Sequence, residues 1–171
     1  MVQTAAATRE AILQAVRARL EALPDTQLAA VADPVSVGTR MAQVIPAAPG
    51  PGQYGRIIGP VYSTQALVAL WDVTREAVSK KARGGRLLAL KVEGANLFPL
   101  FQFHEDGEVR DDVMDVVAIL RGPVDPFTIA QWLRTPQVDD PDGRTPLELL
   151  DAGRVEDVHA AARAAATRWA A

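Results

Sequence analysis

Residues 63–86 read STQALVALWDVTREAVSKKARGGR, and the organisation of the whole chain follows from this stretch. Ser63 or Thr64 can cap a helix whose buried face is Leu67, Val68 and Trp71. Asp72-Val73-Thr74 breaks that helix, Thr74 can cap a second one beginning at Arg75, and Gly84-Gly85 ends it. The second helix is expected to bury Ala77, Val78 and Ala82, leaving Arg75, Ser79, Lys80, Lys81 and Arg83 to face outward. Two short helices joined by a three-residue turn, the second of them basic, make a helix-turn-helix. Arginine and lysine presented in this way can reach guanine edges and phosphates in a major groove. A solvated helix face carries the same residues, and spacing alone does not separate the two.

Outward from this stretch, residues 87–92 and 97–103 flank Glu93-Gly94-Ala95-Asn96 and predict a small β-hairpin behind the helices. Pro99 would place the second strand at a sheet edge, because proline cannot donate to the ladder. Phe98, Phe101 and Phe103 suit a hairpin core better than a base-stacking platform, since no basic residues interleave them. Upstream, Thr8 can cap a helix with Ile12, Leu13, Val16, Leu20 and Leu23 at helical spacing, stopped by Pro24, and a short second helix over residues 25–32 follows. Residues 34–60, with Pro46, Pro49, Gly50, Pro51, Gly52, Gly55 and Gly59, read as a linker.

Downstream, Val113, Met114, Val116, Val117 and Leu120 predict a helix that ends at Gly122-Pro123. Asp125 caps the next one, with Pro126 at its first position and Ile129, Trp132 and Leu133 along it. Thr145 and Glu148 form a capping box with Pro146 at N1, and Gly153 stops that helix. The last helix carries Val155, Val158, Ala162, Ala165 and Trp169, a narrow stripe of mainly small residues that lets another backbone come close. The expected fold is mainly α: an N-terminal helical segment (1–33), a Pro/Gly-rich linker (34–61), a helix-turn-helix with a β-hairpin (62–104), and a compact C-terminal helical domain (105–171).

Composition narrows the chemistry. Thirty of 171 residues are alanine and 15 of the 18 basic residues are arginine, both strong helix formers. Without cysteine the chain has no disulfide framework, thiolate metal site or thiol nucleophile. His104 and His159 lie in different elements, and Asp140-Pro141-Asp142-Gly143 departs from a calcium loop at Val138 and Leu149, so neither a metal nor another cofactor is expected. No phosphate-binding glycine loop and no nucleophile elbow occur, and the chain is read as no enzyme. The net charge of −3 hides a basic centre, +4 over residues 63–91, and an acidic second half, −5 over 104–125 and −3 over 135–171. The N-terminus lacks signal-peptide character and no apolar run is long enough to span a bilayer, so no membrane association and a cytoplasmic location are expected.

Trp132-Leu133-Arg134-Thr135-Pro136, Asp142-Gly143-Arg144-Thr145-Pro146-Leu147-Glu148-Leu149-Leu150, then Gly153 and Val158, resemble the signature of the toxin-binding domain in the Xre/MbcA/ParS antitoxin family. The upstream part, from Tyr62 to Phe103, resembles the helix-turn-helix portion of many of its members, so the resemblance covers about residues 62–171. It implies a type II antitoxin that neutralises a RES-domain, NAD⁺-degrading toxin by covering its active site with the C-terminal region. It also implies a toxin complex that represses its own promoter, and a homodimer is expected. Trp132, Pro136, Gly143, Pro146, Leu147, Leu150 and Gly153 match the signature as architectural residues. Toxin contacts are expected on Val158, Ala162, Ala165, Arg168, Trp169 and Ala171, from the small-residue stripe rather than from a motif. A stand-alone helix-turn-helix regulator is the alternative.

Overall fold

The computed structural model describes residues 4–45, 58–136 and 140–170. The chain divides into two compact units, Met1–Thr39 and Arg40–Ala171. It is mainly helical, and no helix among the described residues is long and apolar enough to cross a membrane.

Toward the N-terminus lie α1 (Ala5–Glu21), α2 (Asp25–Ala29) and α3 (Pro34–Gln43). Thr4, rather than Thr8, caps α1: its hydroxyl accepts from the Ala7 amide at 3.3 Å. Three alanines before Thr8 extend the helix backwards, and the Thr8 hydroxyl donates to the Thr4 carbonyl instead. The expected linker also begins late. Pro34 sits at the start of α3, where its missing N–H costs nothing, and Asp33 accepts from the Ser36 amide at 3.0 Å. Residues 46–57, which hold most of the prolines and glycines behind the linker reading, lie outside the described residues.

The larger unit contains β1 (Val61–Ser63), α4 (Thr64–Trp71), α5 (Arg75–Arg83), β2 (Leu90–Val92), β3 (Ala95–Pro99), a 3-10 turn (Leu100–Gln102), α6 (Asp111–Leu120), α7 (Pro126–Arg134), α8 (Pro146–Asp151) and α9 (Val155–Ala170). The strands form an antiparallel sheet in the order β1-β3-β2, with Tyr62 opposite Phe98 and Lys91 opposite Asn96. Glu93 and Gly94, both at positive φ, make the two-residue connection between β2 and β3. Pro99 therefore belongs to the central strand, against expectation. It is tolerated because it is the last residue of β3, where the ladder gives way to the 3-10 turn.

Two cores support this unit. Leu67, Val78, Leu87, Phe98 and Phe103 lie under α4, α5 and the hairpin. The larger core joins Val113, Val116, Val117 and Leu120 of α6 to Ile129, Trp132 and Leu133 of α7, Leu149 and Leu150 of α8, and Val158, Ala162 and Ala165 of α9. Gln102 is fully buried and satisfied: its side chain accepts from the Leu88 amide at 2.8 Å and donates to the Leu88 and Pro99 carbonyls at 3.0 and 3.2 Å. It thereby ties the approach to β2 to the 3-10 turn without leaving a buried polar atom unpaired.

The helix caps follow the residue types. Asp125 accepts from the amides of Phe127 and Thr128. Thr145 and Glu148 form both halves of a capping box. Arg110, just before α6, reaches Asp112 at 2.7 Å and Asp151 of α8 at 2.8 Å, joining two helices. The hydrogen bond that Arg110 donates to Asp112 raises the Arg110 pKa. Burial alone would raise the Asp112 carboxyl, but the hydrogen bond and charge of Arg110 outweigh it and hold Asp112 below its ordinary value.

Candidate nucleic-acid interface and C-terminal helix

The α4–α5 pair is set by its caps and its apolar inner face. Ser63 accepts from the Ala66 amide and Thr74 from the Ala77 amide, so each helix starts on a side-chain oxygen. Asp72, in the left-handed region at φ 51, ends α4 and lets the chain turn within three residues. Leu67 and Val78 are fully buried, with Val68, Trp71, Ala77 and Ala82 half-buried around them. Trp71 packs against Phe103 with ring centroids 5.9 Å apart and donates from Nε1 to the Gly107 carbonyl at 3.0 Å. Phe98 and Phe103 are buried and Phe101 is half-buried against the larger core, so these three aromatics serve as core, as the lack of basic residues interleaved among them predicts.

With that face covered, Arg75, Lys80, Lys81 and Arg83 are exposed on the outside of α5, while Ser79 is half-buried. Arg86 beyond the helix and Lys91 on β2 are exposed as well. The cations are not equivalent. The Lys81 ammonium lies over the Trp71 ring, 5.3 Å from its centroid, a cation–π position. Arg75 Nη2 donates to Gln65 Oε1 at 2.7 Å. The side chains of Lys80 and Arg83 have no ion-pair or hydrogen-bond partner among the described residues. Gln65 was missed by sequence reasoning, since it stands ten residues before its partner on another helix and no local spacing links them.

The C-terminal helix is arranged differently. Val158, Ala162 and Ala165 point inward and pack along α6, with relative exposures of 1%, 0% and 0%. These three expected toxin contacts are core residues of this chain: the close backbone approach that small residues allow is used by its own α6. Arg168 and Trp169 are exposed, Trp169 at 38%, and Ala171 lies outside the described residues. Among the signature residues, Trp132, Pro146 and Leu150 are buried, Leu147 is half-buried, and Pro136 is exposed. Gly143 and Gly153 adopt positive φ, and Gly153 closes α8 as its amide donates to the Leu150 carbonyl.

Beside α9 a cleft of about 410 Å³ is lined by Asp140, Pro146, Leu149, Asp157, Ala161 and Ala164, among others. The loop beside it closes on a guanidinium: Arg144 pairs with Asp140 and Asp142, each at 3.0 Å. The Arg144 side-chain hydrogen bond holds the Asp140 carboxyl below its ordinary value. No group of three or more metal-ligating side chains occurs among the described residues. His104 is exposed and His159 half-buried, in separate elements.

No protein-family model matches the chain, and no curated protein matches it. Among solved structures the chain is similar to the NMR structure of Rv2175c, with a TM-score of 0.53 and 25% sequence identity over 63% of this chain and 81% of that one. This likeness supports a mainly helical fold with a small sheet.

Proposed function

We propose that the chain is a type II antitoxin that neutralises a RES-domain, NAD⁺-degrading toxin through its C-terminal domain and binds its own promoter through α5. The observation that supports this reading is the pairing, in one unit, of an outward-facing basic helix with an acidic helical domain. The signature residues of that domain occupy its core and helix ends. A cleft that accepts a dinucleotide diphosphate is electropositive, and an acidic partner is steered toward it. Because Val158, Ala162 and Ala165 are committed to the core, the toxin-facing surface falls on Arg168, Trp169 and the exposed rows of α9. Trp169, large and partly exposed at the end of the helix, has the character of an interface anchor.

The test is co-expression with a RES-domain toxin, taken from the adjacent gene where that gene encodes one. The full chain should restore growth, and Trp169→Ala with Arg168→Glu should abolish rescue while the variant remains folded. Rescue undiminished by that double substitution would refute the proposed mode of inhibition. Removal of the whole of α9 is uninformative, since it takes Val158, Ala162 and Ala165 out of the core.

The burial of those three residues favours a second reading, a stand-alone helix-turn-helix regulator. It predicts promoter binding by the chain alone and no toxin gene beside it.

A further inference from the structure

We infer that Arg75 is the base-reading residue of α5 and that Gln65 is its positioning residue, with guanine in a DNA major groove as the target. The inference rests on the promoter-binding part of the proposed function and assigns unequal roles to the cations of one helix. Contact with a phosphate needs a positive charge nearby and tolerates a range of side-chain conformations, whereas reading a base edge requires donors held in a fixed orientation. Lys80 and Arg83, whose side chains are exposed and without a partner among the described residues, meet the first requirement. Lys81, drawn over the Trp71 ring, is turned toward α4.

Arg75 meets the second requirement. It is the first residue of α5, the end from which a recognition helix reaches base edges. Its guanidinium is exposed, yet the 2.7 Å hydrogen bond from Nη2 to Gln65 Oε1 restrains it. Guanidinium carries five N–H donors in a planar fork. Gln65 engages one of them, which leaves donors for guanine O6 and N7. A side chain ordered before binding gives up less rotamer freedom on docking, so Gln65 improves discrimination without touching the base. Gln65 is the second residue of α4, and its neighbours Ala66 and Leu67 are buried, which anchors the backbone from which it reaches.

The experiment uses the full chain and a random-sequence DNA duplex pool, followed by binding titrations on the selected site and on copies with each guanine replaced. The wild-type chain should select a guanine whose replacement weakens binding roughly tenfold or more. Arg75→Ala should remove that preference and retain the others. Gln65→Ala should cut it several-fold while binding to unselected duplex stays unchanged, and Gln65→Glu, which still offers an acceptor, should restore it. Uniform weakening on every duplex in Gln65→Ala, or an unaltered guanine preference in either alanine variant, would overturn the inference while promoter binding stands. Absence of duplex binding by the wild-type chain would overturn both. Equal thermal midpoints for the four proteins exclude a folding defect as the cause.

Discussion

Helices α5 and α9 both carry a residue pattern that invites a partner, and they dispose of it in opposite ways. Helix α5 has a single fully buried residue, Val78, and turns its cations to solvent. Helix α9 turns its distinctive stripe inward, where Val158, Ala162 and Ala165 close against α6. The difference lies in the desolvation of the groups concerned. A row of lysine and arginine cannot enter an apolar core without losing hydration worth several kcal/mol per ion, so it must remain outside. Alanine has no such cost, and its small volume suits an internal helix contact as well as an external one.

The largest expected effect comes from enlarging a residue on the inward stripe. Ala162→Leu places three additional carbons at a fully buried position between α9 and α6 and should destabilise the chain by about 1–3 kcal/mol, read from a denaturant midpoint. A variant as stable as the wild type would mean that the α9 stripe is open to a partner after all.

The Arg110 junction, which ties the start of α6 to the end of α8, gives the next effect. Arg110→Ala should cost about 2 kcal/mol by removing charge-assisted hydrogen bonds to Asp112 and Asp151. Its pH dependence has a defined sign. The Asp112 carboxyl is depressed in the folded chain, so its contribution is present above the ordinary carboxylate pKa, about 3.9, and is lost as pH falls through the folded value. Stability titrations from pH 7 to pH 2 should therefore show the gap between wild type and Arg110→Ala narrowing at the acid end.

The smallest effect on stability, and the one that isolates α5, comes from Lys80→Ala combined with Arg83→Ala. Both side chains are exposed, so the unfolding midpoint should move by no more than about 0.5 kcal/mol. Promoter affinity should nevertheless fall on all sequences alike, and the salt slope should decrease by about one for each phosphate that the variant no longer neutralises. A change in sequence preference would assign these residues a base-reading role.

Much of this arrangement is legible in local sequence because the signals are local. Ser63, Thr74, Asp125 and the Thr145–Glu148 pair announce helix starts through hydrogen bonds that span two or three residues. The buried faces of α4 and α5 follow from periodicity. What could not be read depends on partners distant in the chain. Pro99 looked like an edge residue until β1, some 38 residues earlier, paired with β3 from the other side. Gln65 and Gln102 gain their roles from Arg75 and Leu88. The small stripe of α9 signals close packing correctly, but its spacing is the same whether the facing helix belongs to this chain or to another.

The most direct measurement is the NAD⁺-hydrolysis rate of a RES-domain toxin, the proposed class of partner, titrated with the purified chain. Hydrolysis should fall to background at a fixed stoichiometric ratio, and the Arg168→Glu, Trp169→Ala variant should fail to suppress it. An unchanged rate in the presence of excess folded wild-type chain would contradict the proposed neutralisation.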